Sequence, residues 1–340
     1  MTTPPPARDA RAWAATLARY REPDPRRSAA ELLVTAVPFA ALWLLAWACL
    51  GLGYWLSLLL AVPTAGFLVR LFMIQHDCGH GSFFRRRRAN DWLGRALGVL
   101  TLTPYDPWRR THAVHHATSG NLDRRGTGDV ATLTVREYLA LPRRRRAAYR
   151  LYRHPLVLFG LGPACQFVLL HRLPLGLTRA GPGPWLGAML TNLAIAAAAG
   201  ATVASVGLAP FLLVHGPVVL LAASAGVWLF YVQHQFEGTS WEGDGAWSLH
   251  EGALHGSSHY DLPGPLRWLT ANIGAHHVHH LCSRIPGYRL GEVLRDHPEL
   301  RGVNRLTLGR SLGCVRLALW DEDRARLVPF RAAGRSTERS

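Results

Sequence analysis

From Leu32 to Val69 the chain carries no Asp, Glu, Lys or Arg, and the same is true from Ala180 to Phe236. Each run is longer than the roughly 20 residues that one helix needs to cross the hydrocarbon core. Each is therefore predicted to be two spans joined by a tight turn, at Gly51-Leu52-Gly53-Tyr54 in the first run and Gly207-Leu208-Ala209-Pro210 in the second. The stretch from Pro155 to Leu170 is apolar but too short to span and is interrupted by Gly160, Gly162 and Pro163, which favours an interfacial or re-entrant segment. The predicted fold class is an all-α integral membrane protein whose four transmembrane helices, at about 32–50, 54–75, 184–204 and 210–232, form two hairpins, with the interfacial segment at about 155–170. A hydrophobic content of 49% fits this class better than a soluble enzyme.

The charges outside these runs set the expected orientation. All 38 basic residues are Arg, against 22 acidic residues, and sixteen Arg but only five Asp or Glu fall between Arg85 and Arg153. The head of the chain, Arg8 to Arg27, adds six more, and the hairpin tips carry none. Positive charge accumulates in cytoplasmic loops, so both termini and the large polar segments are expected on the cytoplasmic face of the cell's inner membrane. Residues 1–30 read as a polar segment without a removable signal peptide, 31–300 as the membrane domain, and 301–340 as a cytoplasmic tail, frayed beyond Trp320. Arg runs with few interleaved aromatics beside spans are explained by topology and anionic head groups rather than by nucleic acid. Cys49, Cys78, Cys165, Cys282 and Cys314 form no CxxC pair, so neither a disulfide framework nor a thiolate zinc site is expected.

Seventeen histidines are concentrated in the polar segments. His76 and His80 are four apart; His112, His115 and His116, and again His276, His279 and His280, repeat the spacing i, i+3, i+4. At about 100° per residue, each set shares one helix face. His277 falls at the edge of its set, as a marginal ligand or a support to one. Solvated helix faces would not need the same pattern twice, so these imidazoles are expected to hold metal, beneath a cytoplasmic histidine-rich helical cap. Eight or nine histidines overfill one zinc ion, imidazole also suits iron, copper and nickel, and the Glu-x-x-His pattern of soluble di-iron bundles is absent. The pattern points to a nitrogen-rich site for two metals.

The strings HDCGHGSFF (76–84), HAVHHATSGNLDRRGTGD (112–129), YVQHQFEGTSW (231–241) and NIGAHHVHHLCSRIPGYRL (272–290) make the chain resemble the membrane fatty acid desaturases, whose signature is three histidine boxes, and in particular their bacterial acyl-lipid branch. The likeness extends over most of residues 31–300. It implies that the metals are two iron ions and that His234, near the end of the fourth span, is a further ligand. Asp77, Asp123, Asp129, Glu237 and Asn272 lie in or beside the boxes, where metal-bound histidines pass their second N–H to a carboxylate or carbonyl. His250, His255 and His259 match no box, and a structural role is expected for them.

The implied reaction takes O2 and two electrons, removes two hydrogens from adjacent carbons of a membrane lipid acyl chain and leaves a cis double bond. The spans are expected to surround the chain, with Arg at the interface meeting lipid phosphate. No ferredoxin-type cysteine pattern, haem motif or dinucleotide fingerprint is present, so electrons must come from a separate ferredoxin, flavodoxin or small cytochrome. The same boxes serve hydroxylases, ketolases and acetylenases, which product analysis separates. A histidine-rich metal transporter would bury its ligands at mid-membrane, where these spans carry none.

Overall fold

The computed structural model describes residues 10–333; Arg8 of the polar head and the last seven residues of the expected tail lie outside them. The chain is mostly helical, with little sheet. After the short α1 (Ala10–Leu17), α2 (Pro25–Ala48) starts at an Asp24 side chain that accepts the Arg26 N–H at 2.9 Å, with Pro25 in the first turn. It pairs with α3 (Tyr54–His80), and the second hairpin is α9 (Pro182–Val206) with α10 (Leu208–His234). Gly207, at φ +88°, makes the sharp reversal between α9 and α10. These four are the candidate membrane spans.

Between the hairpins come α4 (Arg87–Leu100), α5 (Tyr105–Thr118), α6 (Val135–Ala140), α7 (Arg143–Tyr152) and α8 (Gly162–Val168). After α10 come α11 (Leu249–His255), α12 (Gly264–Leu269), α13 (His276–Leu281) and α14 (Gly287–Asp296). Five short strands, β1 (Leu133–Thr134), β2 (His259–Asp261), β3 (Arg305–Thr307), β4 (Leu319–Asp321) and β5 (Arg326–Val328), form two small sheets, β1-β4-β5 and β2-β3.

The helix α3 is the centre of the membrane part. It packs against α2, α4 and α10, and its most apolar window is 56% buried, against 11% for those of α2 and α9. The outer spans accordingly leave leucines such as Leu33, Leu44 and Leu193 exposed, a surface suited to lipid. The helices α3 and α10 run beyond the apolar bounds read from the sequence, to His80 and His234, so two sets of ligand candidates sit on the last turns of the inner spans. His76 lies twenty-two residues after Tyr54, a rise of about 33 Å at 1.5 Å per residue, which just exceeds the roughly 30 Å hydrocarbon thickness.

Residues 10–20 and the stretch after Trp320 differ from the sequence expectation, and the segment between α7 and α8 is bent. Residues 10–20 are packed into the cap, with Trp13, Leu17 and Tyr20 buried among residues of α13 and α14, because this short stretch is amphipathic despite its polar surroundings. Val157–Leu161 forms a π-helical turn leading into α8, and the stretch Val157–Arg172 is bent by 57° from α7. The stretch after Trp320 is not frayed up to Ala333: Trp320 is buried and stacks on Trp241 at 5.2 Å, and β5 returns antiparallel to β4 with Leu327 and Val328 buried. Its exposed residues supply the polarity, and its buried ones supply the fold.

Candidate metal centre

The three histidine clusters converge because the helices that carry them are locked together. The α5 helix is docked by Tyr105, fully buried, whose hydroxyl donates to the Cys78 carbonyl at 2.8 Å and lies 2.9 Å from an Asp91 carboxylate oxygen. Gly94 makes room for that ring, since a Cβ there would lie 2.3 Å from it. Gly81, at φ +68°, ends α3 directly after His80 and turns the chain away from the site. The single turns of α13 are held by the loop before them, where Tyr260 N–H donates to the Gly274 carbonyl at 2.7 Å and the Asn272 side chain donates to the Gly287 carbonyl at 3.1 Å.

Nine imidazoles meet through Nε2 in two groups: His76, His80, His112, His116 and His279 in one, His115, His234, His276 and His280 in the other. Within the first, Nε2 atoms approach at 3.3 Å (His80–His76) and 3.1 Å (His112–His80, His116–His112, His279–His116). Within the second the approaches are 3.1 Å (His115–His234), 2.9 Å (His276–His234) and 3.1 Å (His280–His276). The groups adjoin, with the rings of His116 and His280 stacked at 4.0 Å.

This donor set fits metal ions. Lone pairs facing one another at this range repel unless protons or cations lie between them, and shared protons cannot serve four or five mutually adjacent nitrogens. Metal–imidazole bonds of about 2.1 Å place neighbouring donors of an octahedron or square pyramid about 3.0 Å apart, close to the spacings found. His112, His116, His276, His279 and His280 are held well below the usual histidine pKa, first by burial and then by the other imidazoles, so they stay neutral and able to bind metal.

The carboxylates divide sharply. Asp129 stands 2.6 Å from His115 Nδ1 and also accepts the Gly126 N–H at 3.2 Å. Burial pushes the Asp129 carboxyl up, but the bond to His115 and the nearby His115 and His234 rings outweigh this and hold it below the usual range. Asp77 lies 3.5 Å from His76 Nδ1 but accepts the Gly287 N–H at 2.7 Å, so it ties α3 to α14. Asp123 instead accepts the Asp244 N–H at 2.8 Å, Asn272 bonds the loop as described, and Glu237 borders a separate groove; none of the three bonds to a clustered histidine. Their nearness in sequence did not carry over to space.

His277 is outside both groups: its Nε2 donates to the Leu300 carbonyl at 2.9 Å, and burial pushes its pKa down to about 3. His259 similarly donates from Nδ1 to the Arg301 carbonyl at 2.7 Å, and His255 lies 3.4 Å from Glu251; both are structural, and His250 is in neither group. Two contacts went unread in the sequence. Ser119 Oγ lies 3.4 Å from His234 Nδ1, and Trp108 stacks on His112 at 4.7 Å. Ser119 lies within the quoted string 112–129, whereas the Trp108 position, one turn before His112, was readable from helical spacing.

A cavity of about 690 Å³, mostly apolar, reaches His76, His112 and His276. Its walls include Leu68 and Phe72 of α3, Trp108 of α5, Phe167 near the end of α8, and Ala222 and Phe230 of α10. The sequence led us to expect the four spans to enclose an acyl chain, but α2 and α9 line none of this cavity. The bent segment 157–177 and the turn between α4 and α5 take their place.

The sequence model of the family described as "Fatty acid desaturase" matches residues 52–308. The chain is 48% identical over 316 residues to a "Fatty acid desaturase" of Bacillus subtilis, covering 93% of this chain and 89% of that one. It is 29% identical over 232 residues to an "sn-1 acyl-lipid omega-3 desaturase (ferredoxin)" of Synechocystis, covering 65% of this chain and 61% of that one. An "sn-1 oleoyl-lipid 12-desaturase" of Anabaena variabilis is 26% identical over 270 residues, 71% of this chain and 70% of that one.

Proposed function

The chain belongs to the fatty acid desaturase family, and on that premise we propose that it introduces a cis double bond into the acyl chain of a membrane lipid, using O2 at two iron ions held by His76, His80, His112, His115, His116, His234, His276, His279 and His280. The observation that supports this most is the meeting of nine Nε2 atoms in two adjoining groups at the wall of a mostly apolar cavity. Reduced iron with O2 supplies an oxidant able to take hydrogen from an unactivated methylene, which no side chain that ionises near pH 7 can do.

The protein's own residues bind and place the chain. Each buried methylene contributes about 0.8 kcal/mol, and the lining from Leu68 to Phe230 supplies the apolar surface. His76, His112 and His276 border both cavity and metal groups, so chosen carbons come to rest beside the ligands. Trp108, stacked on His112 and packed edge-on to Phe72 at 5.5 Å, helps exclude water there. Electrons come from a ferredoxin, flavodoxin or small cytochrome; ferredoxin is favoured, being named for a Synechocystis relative. The arginine distribution supports a cap on the cytoplasmic side of the inner membrane.

Expression in a host that makes no unsaturated lipids, followed by mass spectrometry of its lipids, is expected to show new double bonds with the native chain and none with His112→Ala. Oxygen-bearing products in place of double bonds would assign a hydroxylase, and unchanged lipids with a well-expressed, iron-loaded, reducible protein would reject the proposal. A second expected result concerns Asp129, which keeps the His115 proton on Nδ1 and Nε2 free for metal. Asp129→Asn should lower metal affinity or turnover by about 10- to 100-fold, with partial recovery in Asp129→Glu. Metal titration alongside turnover checks this, and an unchanged affinity and rate would remove Asp129 from the site.

A further inference from the structure

The segment Leu308–Arg316 belongs neither to the metal groups nor to the apolar cavity. It is held against α10: the Tyr231 hydroxyl lies 2.8 Å from the carbonyls of both Cys314 and Leu317, and Trp228 Nε1 donates to the Tyr260 hydroxyl, itself 3.1 Å from Ser311 Oγ. Trp228 and Tyr231 precede His234 by about 9 and 4.5 Å along the helix. The segment therefore lies beside the inner end of a span rather than above it. Leu308 and Leu312, four residues apart, are 42% and 66% exposed, and at that depth lipid is their natural partner.

Next to these leucines is a groove of about 540 Å³ whose lining includes Arg305, Arg310, Arg316 and Arg331. Arg305 is paired with Asp261 at 2.7 Å, but among the described residues Arg310, Arg316 and Arg331 make no side-chain hydrogen bond or ion pair. Glu237 is the one carboxylate in the lining. Free guanidinium groups beside exposed leucines at the membrane boundary match an amphiphile, with phosphate oxygens for the arginines and acyl tails for the leucines. An acidic protein would meet the arginines but leave the leucines without an apolar partner. We propose that this groove binds the phosphate of an anionic membrane phospholipid, as a site distinct from the acyl cavity, and so holds the C-terminal segment on the membrane.

The test is a lipid-binding titration of the full chain in neutral detergent with phosphatidylglycerol, read by native mass spectrometry. The triple variant Arg310→Gln, Arg316→Gln, Arg331→Gln is expected to bind about 100-fold more weakly, at roughly five-fold per cation. The control Arg124→Gln, Arg136→Gln, Arg324→Gln, whose guanidinium groups are already paired with Asp244, Asp323 and Asp321, should bind as the native chain does. Unfolding temperature and metal content verify the fold, and Arg316→Gln alone, expected to lose about five-fold, replaces the triple variant if that fails to fold. Equal binding by the triple variant, an equal loss in the control, or displacement of the lipid by an equal concentration of inorganic phosphate would each overturn the proposal. So would a triple variant that keeps its lipid but loses reduction by an acidic carrier, which would make the groove a protein docking site. The proposal requires only that the chain sits in a membrane, so its failure leaves the desaturation reading intact.

Discussion

Replacing His280 by alanine is expected to leave about one metal ion per chain instead of two and to lower turnover by roughly a thousand-fold or more, some 4 kcal/mol of transition-state stabilisation. The asymmetry of the centre makes this the informative position. His280 belongs to the group of four, with His115, His234 and His276, whereas the other group has five members. Losing one donor from four leaves three protein ligands, but losing one from five leaves four. His80→Ala should therefore retain metal better than His280→Ala, although both disturb the reaction. His277→Ala is the matched control, since His277 is on the same helix and fully buried yet bonds the Leu300 carbonyl outside both groups. It should keep both metals while losing stability. Metal analysis of the three purified variants checks the order, and equal metal loss from His277→Ala and His280→Ala would show that the groups are wrongly drawn.

The contrast between His277 and His280 also shows what can be read from a sequence. Hydropathy and helical spacing are local properties, so the four apolar helices and the eight clustered imidazoles were legible, whereas His277, expected as a marginal ligand or a support to one, bonds the Leu300 carbonyl outside both groups. His234 was not legible in that way. A single histidine between Gln233 and Gln235 has no periodic partner, and it was identified only through the resemblance of its surrounding string. What brings it to the site is tertiary: α10 lies along α3, so the last turns of both helices arrive at the same level. The supporting carboxylates were the least legible. Asp77, Asp123 and Asp129 are alike in type and in closeness to a box, but which one faces an Nδ1 depends on where the following loop folds back. The turn through Gly126 and Gly128, both with positive φ, returns Asp129 to His115, whereas Asp123 points to the loop at Asp244.

The cavity's lining departs from the sequence expectation for a related reason. An uncharged helix looks the same from sequence whether its apolar surface meets lipid or substrate. The outer spans α2 and α9 spend theirs on the bilayer, as their low burial shows. The segment 157–177 is broken and bent from α7, and it closes the cavity from the side. Its glycines and Pro163, which argue against an unbroken span, are what permit that course.

The second large effect involves no histidine. Glu31 and Arg70, the charges that bound the first uncharged run, meet as an ion pair across the α2–α3 hairpin, with side chains 16% and 5% exposed. Arg70 also donates to Thr35 Oγ1 at 3.0 Å and to the Trp268 carbonyl, and its guanidinium lies 4.0 Å over the Trp268 ring. A hairpin with arms of similar length brings the two ends of its apolar run level, so the pairing follows from the turn position. Glu31→Ala would leave a buried guanidinium without its ion-pair partner, and the expected loss is about 3–5 kcal/mol. Removing both charges, in Glu31→Leu with Arg70→Met, should cost much less, since well-packed apolar pairs replace buried ion pairs at little penalty. Unfolding of the native chain, both single variants and the double variant in one detergent gives the coupling directly. Additive losses would mean that the two charges do not depend on each other and that the hairpin is held by its apolar contacts alone.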